Sequence, residues 1–272
     1  MNTRRHQLSF TAILTFESSK VVCVNHVNTW GDPELPNLVL LPGAGGSRWL
    51  WTPHAELLAD EYRVISIDMP AHGTHPDSSF DIERATQDVG VILEEEGPAV
   101  LVGHSLGGHV AMNAASAYAE QIDAVLVAGV GAPPGTVSKI QQLALSYVVE
   151  IAAHSTYIRE WMDDQYGLDD ERQLPPENLD THDEAIATAR GMRGALFQKS
   201  VSRLKEYDGP IAFAYGDKET ETEAANELAE RVGAEVCWYE GGHGTPSRNP
   251  ERFVEIVETF LTMVDGSGTR HS

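Results

Sequence analysis

Gly103-His104-Ser105-Leu106-Gly107-Gly108 follows the apolar run Pro98-Ala99-Val100-Leu101-Val102 and opens a helix-like stretch from Ser105 to Ala119. A Gly-x-Ser-x-Gly between a strand and a helix is the pattern of a nucleophile elbow, a tight turn that lifts one serine hydroxyl clear of a sheet. The glycines answer to crowding, since a side chain at 103 or 107 would strike the neighbouring strand or helix. The bare pattern is weak, because chance supplies it in about one chain in ten of this length. Its context is stronger. The preceding run reads as a buried parallel strand, and the small residues Val110, Ala111, Ala114 and Ala115 allow the following helix to pack closely on a sheet. Ser105 is therefore the candidate nucleophile, and the rest of the chain should supply a base, an acid and an oxyanion hole.

The flanking sequence alternates between strand and helix patterns. Leu38–Leu41 reads as a strand, Trp49–Ala59 as a helix and Arg63–Asp68 as a strand. Ile82–Glu95 is amphipathic, with Ile82, Ala85, Val89, Ile92 and Leu93 near one face. Asp123–Val130, Ile211–Tyr215 and Glu235–Tyr239 read as further strands, with a helix at Glu223–Arg231. Phe253, Ile256, Val257, Phe260 and Leu261 mark a last helix over Pro250–Val264. Such alternation predicts an α/β fold, a mostly parallel sheet covered by helices on both faces, with its functional loops at the carboxyl ends of the strands. Ahead of it, the alternation in Leu8–Phe16 and Lys20–Asn28 suits a β-hairpin. The stretch from Pro133 to Tyr207 breaks the pattern with helical composition and scattered aromatics and methionines. It reads as a helical lid inserted between a first core part (1–132) and a second (208–265), with Leu174-Pro175-Pro176 marking a turn in it. Trp161, Met162, Met192 and Phe197 are its candidate substrate contacts. Residues 266–272 read as a short disordered tail.

Composition narrows the partners. The 272 residues carry 19 Lys and Arg against 41 Asp and Glu, a net charge of −22. Such a chain repels nucleic acid and anionic membrane surfaces. Lysine is scarce, five against fourteen arginines, which fits either a GC-rich genome or a high-salt environment. Cys23 and Cys237 lie in apolar runs without metal-ligand spacing and read as buried thiols. No run reaches the length of a membrane span. Arg4-Arg5 with Leu8–Leu14 makes a poor signal peptide, broken by Thr11, Thr15 and Glu17, so a cytoplasmic location is expected. The chain is read as a monomer or homodimer.

An oxyanion hole needs two backbone N–H groups. Leu106, directly after the nucleophile, offers one. The Gly-rich loop Pro42-Gly43-Ala44-Gly45-Gly46-Ser47 offers the other, from Ala44 or alternatively Gly45. A phosphate loop is excluded there, since no Gly-Lys-Ser/Thr or Gly-x-Gly-x-x-Gly follows. Among eleven histidines, His243 stands out by its flanking glycines and its place after the last strand. It is the candidate base. His104 is read as structural. The acid that orients the base is sought after Ile211–Tyr215, where Asp217, Glu219, Glu221 and Glu223 are available; Glu219 is favoured and Asp217 is the alternative. No carboxylate ends the Asp123–Val130 strand.

The order Ser, then Glu or Asp, then His on this pattern resembles the α/β-hydrolase superfamily, in its small lid-bearing branch of esterases, lipases, C–C hydrolases and lyases. The motifs are Leu41–Gly46, Asp68-Met69-Pro70-Ala71-His72-Gly73, Gly103–Gly108, Gly216-Asp217-Lys218-Glu219, and Gly242-His243 followed by Asn249–Phe253. Two positions depart from the family pattern: Pro42 stands where His is usual, and Glu219 where Asp is common. The resemblance implies acyl transfer on a small-molecule ester, with Ser105 attacking, His243 moving protons, and no metal or organic cofactor. The same triad could instead serve C–C cleavage or a lyase reaction, and a non-enzymatic small-molecule receptor is a third reading.

Overall fold

In a computed structural model the described residues are 26–130, 136–155, 170–196, 198, 200–219 and 222–266. Strands β1 (Val27–Trp30), β2 (Asn37–Leu41), β3 (Arg63–Ile67), β4 (Ala99–His104), β5 (Ile122–Ala128), β6 (Ile211–Gly216) and β7 (Glu235–Tyr239) form one sheet in the order β1-β3-β2-β4-β5-β6-β7. Only β1 is antiparallel, paired with β3; the other pairs are parallel. The chain moves from β2 outward to β3 and then returns to β4 on the other side of β2. This reversal sets the loops after β2 and β4 side by side at the carboxyl ends of the strands, where α/β sheets bind ligands. Leu41 pairs with Gly103 at that edge.

The central strands are apolar throughout because both faces are covered. Val39, Leu41, Leu101, Val125, Val127, Phe213 and Tyr215 face one layer, with helices α2 (Ile82–Glu96), α3 (Leu106–Ala117) and, later in the chain, α7 (Thr222–Val232). Leu38, Leu40, Val100, Val102, Leu126, Ala212 and Ala214 face the other, with α1 (Thr52–Leu58) and α9 (Pro250–Gly266). α2 shows how the sequence sets an element. The Asp81 side chain caps it by accepting from the Arg84 N–H at 2.8 Å, and Gly97 ends it at φ 95°. Its buried residues Ile82, Ala85, Val89, Ile92 and Leu93 follow helical spacing. The stretch expected as one helix over Trp49–Ala59 is divided into a 3-10 turn, Arg48–Trp51, and α1. Pro53 explains the restart: it has no N–H and suits a helix's first turn.

Between β5 and β6 the described residues form α4 (Thr136–Ala152), a 3-10 turn (Glu171–Gln173), α5 (Glu184–Leu196), α6 (Ser200–Arg203) and a second 3-10 turn, Leu204–Glu206. No strand occurs among the described residues there. Glu150 of α4 pairs with Arg190 and Arg193 of α5, so the two helices are tied as well as packed. α8 (Thr245–Arg248) follows β7. The expected hairpin over Leu8–Phe16 and Lys20–Asn28 lies outside the described residues, except that β1 begins at Val27. The expected tail, apart from Gly266, and Cys23 also lie outside them. No helix among the described residues is long and apolar enough to cross a membrane.

His54 couples α1 to the end of the sheet that bears the functional loops. It is 1% exposed, packs edge-on against Trp51 and Phe253, and donates from Nε2 to the Pro246 carbonyl at 2.7 Å. Its Nδ1 is buried without a partner, so the ring is a neutral donor. Burial lowers its pKa to about 4, only partly offset by the bond to Pro246. Between pH 6.5 and 4 the unfolded chain therefore holds a proton at His54 that the folded state refuses, so acid lowers stability through this window. A His54→Gln variant keeps an N–H for Pro246 but cannot titrate. Its unfolding free energy, from urea titrations at several pH values, should lose about 1.4 kcal/mol per pH unit of slope in this window. An unchanged slope would show that His54 is charged in the folded protein.

Candidate active site

The strand-to-helix turn after β4 holds Ser105 at φ 51° and ψ −112°, a region non-glycine residues rarely occupy. Two glycines make the turn possible. A Cβ on Gly103 would lie 2.4 Å from the Gly107 carbonyl oxygen, and one on Gly107 would lie 2.2 Å from that of Leu41. The turn is fixed from the side by the Ser105 N–H, which donates to the Ala128 carbonyl of β5 at 2.8 Å.

His243 arrives from the loop after β7, and its Nε2 lies 3.1 Å from Ser105 Oγ. Its Nδ1 lies 3.6 Å from Glu219 Oε2. Glu219 follows β6, and its Oε1 accepts from the Gly216 N–H at 2.8 Å and the Tyr239 hydroxyl at 3.1 Å. Burial pushes its carboxyl upward, but His243 and the Gly216 N–H outweigh this and hold it below the ordinary carboxylate range. The carboxylate thus stays ionised at neutral pH and sits where it can take the Nδ1–H of His243. Asp217 is exposed and turned elsewhere: its Oδ1 accepts from the Gly241 N–H at 2.8 Å, which laces the β6 loop to the β7 loop. Of the two carboxylates read from sequence, Glu219 is the one that meets His243.

Leu106 is the first residue of α3, where N–H groups have no intrahelical acceptor. Ala44 lies on the neighbouring loop after β2. Neither N–H is engaged among the described residues. α5 comes down onto the pair: a Cβ on Gly191 would lie 2.8 Å from both Ala44 Cβ and Leu106 Cδ2. Met192, next to Gly191, is half-buried. Trp161, Met162 and Phe197 lie outside the described residues. The motif Asp68–Gly73 supports this loop. Buried Asp68 pairs with the Arg48 guanidinium and accepts from the Arg48 N–H at 2.7 Å and the Thr74 N–H at 2.8 Å. It thereby joins the loops after β2 and β3.

Several further groups support the site, and of these the sequence marks only His104, as a structural residue. His104 donates from Nε2 to the His243 carbonyl at 2.9 Å. Burial first, then repulsion from His243, lowers its pKa to about 3, so it is neutral and holds the backbone of His243. Its place inside the elbow was the available signal. Gln173, 3% exposed, donates to the Leu50 and Ser247 carbonyls at 2.9 and 2.8 Å; nothing in its sequence neighbourhood marks it. Gly129 at φ 64° makes room for the His243 ring, since a Cβ there would lie 2.9 Å from its Nδ1.

One group among the described residues has the donor types of a metal site: His26, His75 and Asp88, all buried. His26 Nε2 is buried without a hydrogen-bond partner, but the His75 and Asp88 atoms are engaged within the protein. His75 Nδ1 accepts from the Asp77 N–H at 3.0 Å, so its Nε2 carries the hydrogen directed at Asp88 Oδ2, 3.1 Å away. Arg84 pairs with the same carboxylate at 3.1 Å. A cation would have to displace both. This set fits a hydrogen-bonded anchor better than a metal centre.

The chain is 26% identical over 247 residues to a pimeloyl-[acyl-carrier protein] methyl ester esterase of Aeromonas hydrophila, covering 83% of this chain and 95% of the relative. It is 26% identical over 265 residues to the mouse (Mus musculus) sn-1-specific diacylglycerol lipase ABHD11, covering 85% and 82%. Among solved structures it shares its fold with MenH from S. aureus, at TM-score 0.70 and 19% identity, over 89% of this chain and 99% of that one. A carboxylesterase structure from Nitrososphaera gargenis gives TM-score 0.71 at 19% identity, over 89% and 95%. The model of the alpha/beta hydrolase family matches residues 38–256. Strand order, elbow and sequence match agree, and the chain belongs to the alpha/beta hydrolase family.

Proposed function

We propose that this chain is a serine hydrolase that cleaves a carboxylic ester of a small, largely apolar molecule through an acyl-enzyme on Ser105. The observation that carries the reading is the relay Ser105 Oγ to His243 Nε2 at 3.1 Å and His243 Nδ1 to Glu219 at 3.6 Å. Two relatives named for ester cleavage, the methyl ester esterase and the diacylglycerol lipase, favour ester over other acyl bonds.

The chemistry follows from the atoms. His243 Nε2 takes the Ser105 proton as Oγ attacks the ester carbonyl. Glu219 holds the Nδ1–H and stabilises the imidazolium that forms. The carbonyl oxygen becomes an oxyanion that Ala44 and Leu106 N–H groups receive, helped by the positive end of α3. His243 then protonates the leaving alkoxide, and the alcohol departs. A water, deprotonated by His243, attacks the acyl carbon; the bond to Ser105 Oγ breaks, His243 returns the proton to Oγ, and the carboxylic acid departs. The described helices between β5 and β6 act as the lid over this chemistry, with Gly191 against Ala44 and Leu106.

Ser105→Ala should lower kcat/KM on short acyl esters by at least about a thousandfold and abolish labelling by a fluorophosphonate. Turnover undiminished in that variant would remove Ser105 from the mechanism. Glu219→Gln should cost about a thousandfold or more in kcat, whereas Asp217→Asn, which weakens one hydrogen bond, should cost about tenfold at most. Steady-state kinetics of the pair decide the acid; the larger loss at Asp217 would reverse the assignment.

A further inference from the structure

α3 carries Leu106, His109 and Asn113 at i, i+3 and i+7, one stripe of the helix. This stripe faces the helices between β5 and β6. Leu106 lies under Gly191, while His109 and Asn113 meet Ser200 of α6. The polar contacts there fix one another. Arg203 donates to Asn113 Oδ1 at 2.7 Å, so the amide nitrogen points the other way. That nitrogen donates to the His109 carbonyl at 2.7 Å and to Ser200 Oγ at 2.7 Å.

Ser200 is 1% exposed. Its oxygen already accepts, so its own hydrogen needs an acceptor. The group in reach is His109 Nδ1 at 3.3 Å. Nδ1 therefore carries the lone pair and Nε2 carries the hydrogen. Nε2 has no protein partner among the described residues, and it is not sealed from solvent. Helix geometry tilts a side chain toward the N-terminus of its helix, which here is the Ser105 end; the His109 N–H itself donates to the Ser105 carbonyl at 3.3 Å. Burial lowers the ring's pKa to about 4, so at neutral pH it offers a hydrogen but no charge.

We propose that His109 forms a substrate subsite, its Nε2–H donating to a neutral oxygen (keto, hydroxyl or ether) that the ester carries a few bonds from its scissile carbonyl. Ser200 acts through it as a positioning residue that fixes the tautomer. The substrate class is thereby an oxygen-bearing ester rather than a plain alkyl one, and the inference rests on the hydrolase reading above.

The test uses the full-length Ser105→Ala protein, so that binding is read without turnover. Calorimetric Kd values are compared for ethyl 3-oxohexanoate, 2-methoxyethyl hexanoate and ethyl hexanoate. One of the two oxygen-bearing esters should bind about three- to tenfold more tightly than ethyl hexanoate, the worth of one neutral hydrogen bond. Adding His109→Leu should bring the ratio near one, and His109→Gln, which keeps an N–H, should restore part of it. Nitrogen-15 spectra of the histidine rings should show the Nε2–H tautomer at His109, with Ser200→Ala eroding that preference. Equal binding of all three esters, a ratio that survives His109→Leu, or an Nδ1–H tautomer would each overturn the subsite. Absence of hydrolysis of all three esters by the unaltered protein would instead overturn the ester reading, and the binding ratio would still judge His109.

Discussion

The site depends on backbone packed against backbone at the elbow. Gly103 and Gly107 bring the end of β4, the start of α3 and the Leu41 carbonyl of β2 within distances that exclude any side chain. The contact does three things together. It forces Ser105 into a positive φ that projects its hydroxyl away from the sheet. It leaves the Leu106 N–H at a helix start, free of an intrahelical partner. It also draws the β2 loop with Ala44 against the same point. The remaining strands make this tolerable: they are buried on both faces, so the carboxyl edge is rigid enough to hold a strained residue.

The proposed base is held by a different means. His243 stands on an exposed loop, yet its neighbourhood is tethered by neutral donors. His104 holds the carbonyl of His243, His54 that of Pro246, and Gln173 that of Ser247. The two imidazoles are kept uncharged by burial. In the proposed reaction, a protonated group at either place would add positive charge near the imidazolium formed on His243 and would oppose it. Neutral N–H donors fix position without that electrostatic cost. Backbone is the right target, because a bonded carbonyl constrains the loop and leaves the ring of His243 free to exchange protons.

The sheet was legible in the sequence because its signals are local. Continuous apolar runs gave the parallel strands, and the amphipathic spacing of Ile82–Leu93 and Phe253–Leu261 gave the flanking helices. Ser105, His243 and the Gly-rich loop were legible because their chemistry demands unusual residue patterns in short windows. Choosing between Asp217 and Glu219 needed three dimensions, since both follow the same strand and only the turn at Gly216 decides which carboxylate faces the base. Gln173 and His54 were out of reach for a related reason. Their partners lie 74 and 192 positions away in the chain, and a buried polar residue leaves no periodic trace. Pro53 was visible, but its division of Trp49–Ala59 into two pieces was not read from it.

The acidic composition bears on the site less than its size suggests. A net charge of −22 opposes the growth of an oxyanion, but exposed charges are screened over about 8–10 Å at physiological salt. Within that radius the oxyanion of the proposed reaction would meet two N–H groups and the positive end of α3, all short-range and permanently oriented. The one carboxylate of the relay is half-buried and is placed behind His243, where its charge answers the imidazolium rather than the substrate. At longer range the surface repels anions, and the nearby buried histidines are held neutral, so they provide no cationic counterpart for an anionic substrate. Within the proposed reaction, charge distribution and hydrogen-bond geometry both favour an uncharged ester over an anionic one.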